Sequence, residues 1–240
     1  AVPPRGASVD EWAAGHAPPP PPPTPAEADA SAPCTLPNLL DEAEVRLVVA
    51  LGREMMAGQL EVAPEGLDPF GDGDSCAAAE DYFHGGAEHP HRVAHLHRDG
   101  RAQRDVPRLL DKIVNRVRRA DAERWRLLVG RAVGIRSIEY HEYAGGGSVA
   151  DPGHRDQGSL LTLSALLTQP DECVSGGELL FASTADGAVS ERWPLRRRGD
   201  GVVFVSEKRH NVSAVAAGGR RASLVLELWC GAPTSYNRHR

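Results

Sequence analysis

From residue 135 to residue 229 the chain is written in short alternating segments that no helical period fits. IRSIEYHEY, SLLTLSALL, GELLFAS, DGVVFVS, HNVSAV and RASLVLELW follow one another, separated by Gly, Pro, Asp or Asn. Each is too short and too often broken by turn formers to be a helix, and each places alternate side chains on opposite faces. Several such strands in succession predict an antiparallel β core, a sandwich or barrel. With aromatic residues at only 5%, that core must be filled by Leu, Val and Ala.

Ahead of this region the period lengthens to that of a helix. Leu39, Leu40, Ala43, Leu47, Ala50, Leu51 and Met55 trace one apolar stripe, with Asn38 as its expected N-cap and Gly58 as its expected end. A second helix is predicted from Pro107, which suits a first turn, with Leu109, Leu110, Ile113, Val114 and Val117 on its apolar face. Between them, Glu61 to Glu80 is rich in Gly, Asp and Pro and reads as loop, and HRVAHLHRDG reads as a strand. His91, His95 and His97 alternate there without a carboxylate at useful spacing, so they are assigned a structural role. At the N-terminal end, seven of the nine residues from Ala17 to Pro25 are proline, which favours polyproline II over a packed core.

The expected organisation is therefore a disordered tail (1–36), a helical supporting region with one or more outer strands (37–135), the β core (136–232) and a short C-terminal tail (233–240). The class is α+β, mainly β. A net charge of −6 provides no general field for nucleic acid, and no apolar run is long enough to span a bilayer as a helix. Cys34, Cys76, Cys173 and Cys230 lie far apart and form neither a zinc knuckle nor a dense disulfide framework.

At the mouth of the second core segment stands His154-Arg155-Asp156. A histidine and a carboxylate two residues apart form a salt bridge, an acid/base pair or two corners of a metal site. The segment HNVSAV opens with His210 and supplies a second imidazole. Two imidazoles and one carboxylate on one face of an octahedral ion leave three positions open, the facial triad of non-haem Fe(II) oxygenases. Further on, Arg221 and Ser223 share one face of the last strand by parity. A guanidinium fork and a hydroxyl there suit a carboxylate ligand. Arg220 falls on the opposite face with Ala222, Leu224, Leu226 and Leu228, and is the second choice for that role.

EYHEYAGGG, HRD, GGELLF, GDGVVF, SEKRHNVSAV and GGRRASLVLELW, in this order and spacing, resemble the iron- and 2-oxoglutarate-dependent dioxygenases. The nearest branch is the prolyl 4-hydroxylase-like one, whose supporting helix LPNLLDEAEV also resembles. The resemblance implies a double-stranded β-helix, or jelly roll, flanked by N-terminal supporting helices. It implies Fe(II) on His154, Asp156 and His210, with 2-oxoglutarate held through its far carboxylate by Arg221 and Ser223. Tyr143 and Thr162 would stand near the cosubstrate. The implied reaction consumes O2, releases succinate and CO2, and hydroxylates a C–H bond of a protein or peptide substrate, a proline or another side chain, with ascorbate as reductant. Two alternatives keep the same ligands: a cupin-like metal-binding protein without turnover, and a zinc hydrolase. The sequence departs from the prolyl hydroxylase pattern at Leu166, where a tyrosine is common, and at Glu227, where a tryptophan is common.

Overall fold

The structure is a computed structural model that describes residues 20–62, 90–151, 153–184, 190–194 and 197–234. Among the described residues two short and two long α-helices accompany nine strands. In chain order these are α1 (Pro25–Ala30), β1 (Cys34–Leu36), α2 (Glu42–Val62), β2 (His91–His95), α3 (Arg101–Asp105), α4 (Pro107–Arg124), β3 (Gly134–Tyr143), β4 (Leu161–Leu166), β5 (Leu179–Ala182), β6 (Ser190–Trp193), β7 (Gly201–Val205), β8 (His210–Val212) and β9 (Arg221–Trp229). Six strands form a sheet in the order β1-β7-β4-β9-β3-β2, and three form a second sheet in the order β6-β5-β8. Every pairing between them is antiparallel.

The alternation along β9 shows how the layers are built. Ala222, Leu224, Leu226 and Leu228 point to a core shared with Leu161, Leu163 and Ala165 of β4, Val45, Val48 and Leu51 of α2, and Leu109, Leu110, Ile113 and Val117 of α4. Each such fully buried Leu, Val or Ile side chain contributes about 1.5–3 kcal/mol of transfer free energy. The helix α2 lies close on the sheet because Gly52 has no side chain: a Cβ there would fall 2.2 Å from the ring of Tyr140. On the opposite face of the large sheet a smaller core joins the two sheets through Tyr143, Val202, Phe204, Leu179, Phe181, Val212 and Val215. Strands β4 and β7 are buried along their whole length because they are covered on both faces. That double cover is why GDGVVFVS reads as a continuous apolar run rather than as an alternation.

Three expectations are corrected. Residues 25–36 are not all tail. Thr24 caps α1 in a reciprocal pair with Glu27, Asp29 is buried, and β1 adds a strand to the edge of the large sheet against β7. Asn38 is not the N-cap of α2. Asp41 accepts from the N–H groups of Ala43 (2.8 Å) and Glu44 (2.9 Å), while Asn38 has a φ of 49° and donates its N–H to Asp200. Gly58 does not end that helix, which runs on to Val62; a glycine inside a helix costs only about 1 kcal/mol. The proline run up to residue 19, Cys76, most of the Glu61–Glu80 loop and residues 235–240 lie outside the described residues. Cys34, Cys173 and Cys230 are free thiols. No helix among the described residues is long and apolar enough to cross a membrane.

Candidate metal centre

His154 and Asp156 lie in the loop between β3 and β4, not on a strand, and His210 is the first residue of β8. The loop is tied to its surroundings by backbone bonds: Asp156 N–H donates to Ser206 C=O (3.0 Å), and His210 N–H donates to His154 C=O (3.2 Å). Asp156 sits between the imidazoles, with Oδ1 3.6 Å from His154 Nε2 and Oδ2 3.5 Å from His210 Nε2. The three ligand atoms all lie within 4.8 Å of one another. Donors in adjacent octahedral positions about 2.1 Å from an ion stand about 3 Å apart, so a small inward movement would close this set on a divalent cation. Among the described residues no other group of three His, Cys, Asp or Glu side chains converges in this way.

The surrounding contacts orient the donors. His210 Nδ1–H donates to the Lys208 carbonyl at 2.9 Å, which leaves the Nε2 lone pair facing Asp156. Phe204 packs 4.6 Å from the His210 ring, centroid to centroid. Thr162 Oγ1 donates to Asp156 Oδ2 at 2.7 Å and also meets Ser206 Oγ at 2.9 Å. The Thr162 hydroxyl is thus engaged by the carboxylate ligand, although its side chain also lines the cavity. Thr162→Val keeps the shape and removes this bond. It is expected to weaken divalent-metal affinity ten- to a hundredfold in a folded protein, which a Mn(II) titration would measure.

The triad opens into a cavity of about 510 Å³ that also contains Arg221, Ser223 and Tyr143. The Arg221 side chain is only 2% exposed. Its Nη1 donates to Ser223 Oγ at 2.8 Å, and the guanidinium carbon lies 5.2 Å from the centre of the Tyr143 ring. Its buried Nε has no hydrogen-bond partner, and no carboxylate among the described residues lies within ion-pair distance of it. Burial depresses the Arg221 pKa, an effect that Tyr143 and Cys173 oppose, but a guanidinium remains charged at neutral pH. An interior cation without a counter-ion is costly, so this end of the cavity favours an anionic group. Arg220 is exposed and faces Glu172 at 3.4 Å. Tyr143 is buried, and its hydroxyl, pushed up to about 12 by that burial, lies 3.4 Å from His141 Nδ1.

One wall of this cavity went unrecognised in the sequence. Glu139, His141 and Tyr143 share a face of β3, and His91 of β2 stacks on Tyr143 with centroids 4.2 Å apart. Glu139 Oε2 lies 3.1 Å from His141 Nε2, so that nitrogen carries the proton and Nδ1 accepts from His91 Nε2–H at 2.9 Å. The alternation in EYHEY contained this signal. His95, opposite Glu139 in the β2–β3 register, continues this row behind the wall with Nδ1 3.7 Å from Glu139 Oε1, and His97 is buried beside it. Burial pushes His95 down to about 3, which keeps it neutral, and His97 Nδ1 accepts from the Ile138 N–H at 3.1 Å. Glu227 is fully buried at the other end of β9 and accepts from Ser159 Oγ at 2.6 Å.

No protein-family model matches the sequence, and no curated protein is similar to it in sequence. Solved structures are similar in fold. A prolyl-4-hydroxylase of Pseudomonas putida is 18% identical, with a TM-score of 0.52 over 86% of this chain and 100% of that one. A prolyl hydroxylase of Trichoplax adhaerens, in complex with a peptide fragment of the hypoxia inducible factor oxygen degradation domain, is 14% identical, with a TM-score of 0.52 over 86% and 87% of the two chains. The non-heme alpha ketoglutarate dependent carbocyclase SnoK from nogalamycin biosynthesis is 16% identical, with a TM-score of 0.50 over 83% and 80%. The chain shares the fold of these two prolyl hydroxylases and of this alpha ketoglutarate dependent carbocyclase.

Proposed function

We propose that the protein is an Fe(II)- and 2-oxoglutarate-dependent dioxygenase with a jelly-roll core, which hydroxylates a C–H bond of a peptidyl proline or another amino-acid side chain. The observation that carries this reading is the joint presence, in one cavity, of a His-Asp-His donor set and a buried guanidinium without a counter-ion. A metal-binding protein without turnover needs no such guanidinium, and neither does a zinc hydrolase. Two of the similar structures are prolyl hydroxylases, one of them with a peptide bound, which supports the peptide substrate.

His154, Asp156 and His210 would hold Fe(II), which supplies the redox chemistry with O2 and 2-oxoglutarate when it is bound. The donor set fits: two neutral imidazoles with a borderline affinity for iron, one hard carboxylate, and an open side toward the cavity. The Lys208 carbonyl fixes the His210 tautomer, and Thr162 fixes the carboxylate. Arg221 and Ser223 would bind the distant carboxylate of 2-oxoglutarate, and Tyr143 would cover it. The buried apolar side chains Leu179 and Phe204 also line the cavity, Phe204 against His210. His154 is the most exposed ligand, with 29% of its side chain accessible, so the substrate would approach past it. Ascorbate would serve as reductant.

The protein incubated with Fe(II), 2-oxoglutarate and ascorbate in air is expected to form succinate, and candidate peptides should gain 16 Da in mass spectrometry. Formation should stop under nitrogen and on replacing Fe(II) by Zn(II). Hydrolysis of a substrate under nitrogen with Zn(II) would instead identify a zinc hydrolase.

A further inference from the structure

The metal-ligand segments are joined by a residue that belongs to neither. Asp29, at the end of α1, is buried, and its carboxylate accepts four hydrogen bonds. Arg155 donates to it from Nη1 (3.1 Å) and Nη2 (2.8 Å), and Arg209 from its backbone N–H and its Nε, both at 2.8 Å. Arg155 stands between His154 and Asp156, and Arg209 immediately precedes His210. The Asp29 carbonyl accepts from Lys208 Nζ, and the carbonyl of Lys208 is the acceptor for His210 Nδ1. Arg155 Nη1 also donates to the carbonyl of Glu207, joining the two ligand segments directly. One aspartate, 126 residues from Arg155 and 180 from Arg209, therefore contacts a neighbour of every ligand.

We infer that Asp29 is a positioning residue of the metal centre: it holds the His154–Asp156 loop and the start of β8 at the separation that a single ion bridges. This rests on the proposed metal site and deepens it. Stability alone does not explain the arrangement, because apolar side chains of similar volume usually fill a buried position at least as favourably as an ionic cluster. A charged hub has a different property, namely direction. The Arg155 fork, together with the backbone N–H and Nε–H of Arg209, on one carboxylate fixes both the distance and the orientation of the two segments that bear them. Metal ligands are held by such outer contacts, whose loss typically weakens metal affinity ten- to a hundredfold.

The test is Co(II) titration of the full chain, followed by visible absorption and calorimetry at a temperature well below the melting midpoint of each apo variant. Asp29→Asn keeps the size and removes the charge and one acceptor oxygen. Its Co(II) dissociation constant is expected to rise ten- to a hundredfold, with altered Co(II) absorption bands, while the far-ultraviolet circular dichroism stays that of the wild type. Glu142→Gln serves as a control. It breaks the ion pairs with Arg53 and Arg92 on the helix-covered face of the sheet, and should lower the melting midpoint without changing Co(II) affinity. Should Asp29→Asn not fold, Arg155→Lys and Arg209→Lys carry the test, since each keeps its charge and loses directed guanidinium donors to Asp29, the Nη1/Nη2 fork in one and Nε in the other. Wild-type affinity and spectrum in a folded Asp29→Asn, or in both lysine variants, would overturn the inference. Failure of the wild type itself to bind Co(II) would instead overturn the metal site.

Discussion

Replacing Arg221 by Ala is expected to weaken 2-oxoglutarate binding by a hundredfold or more while leaving metal affinity nearly unchanged. A carboxylate in this cavity would replace water at a guanidinium that is 2% exposed and has one buried N–H without a partner. Removing one member of such a pair strands the other charge, at a cost on the order of 3 kcal/mol. Leu166 faces the Ser223 register position and brings no hydroxyl, so the carboxylate depends more heavily on Arg221. Arg221→Lys should lie between wild type and Ala, because an ammonium keeps the charge and loses the fork. Arg220→Ala should change little, since Arg220 is exposed and paired with Glu172. Anaerobic titration of 2-oxoglutarate into the Fe(II) protein separates these outcomes. Equal affinities in Arg221→Ala and the wild type would remove 2-oxoglutarate from this pose.

His154→Ala, Asp156→Ala and His210→Ala should each abolish Fe(II)-dependent succinate formation in a folded protein. Three donors are the whole set, and two would not hold the ion against water at working concentrations. The fold should persist, because the core beneath the helices is Leu, Val and Ile packing that none of the three side chains joins. Activity near that of the wild type in any one of them would dismiss the triad, and circular dichroism together with the melting midpoint would show that the comparison is between folded proteins.

Much of this site was legible before any coordinates. The spacing of His154 and Asp156 and the place of His210 at the start of a segment are features of the chain itself. So is the parity that separates Arg221 from Arg220, because a strand alternates faces wherever it is laid. Asn38 and Asp41 show where local reading ends. Both are good N-cap residues, and the choice between them was made by distant residues: Leu40 N–H donates to the Gly199 carbonyl at 2.9 Å, and Asn38 N–H to the Asp200 carboxylate at 2.9 Å, which holds a turn at Asn38 and delays the helix until Asp41. Asp29 is a sharper case. Nothing in PAEADA distinguishes it from the acidic residues of a solvated tail, and its four hydrogen-bond donors all come from residues more than a hundred positions away.

The sequence by itself determined seven of the nine strands described, all but β1 and β6, with the two long helices and the donor types, since periodicity and side-chain chemistry are properties of neighbouring residues. The tertiary structure alone decided that His91, His141 and Glu139 form a wall of the cavity. It also decided that the Thr162 hydroxyl donates to Asp156 and that Asp29 reaches both the His154–Asp156 loop and the start of β8. Those relations exist only after antiparallel pairing has brought β2 beside β3 and β7 beside β1. Hydrogen bonds and ion pairs act over a few ångströms of space, and no local pattern in a sequence encodes which distant residue will fill that space.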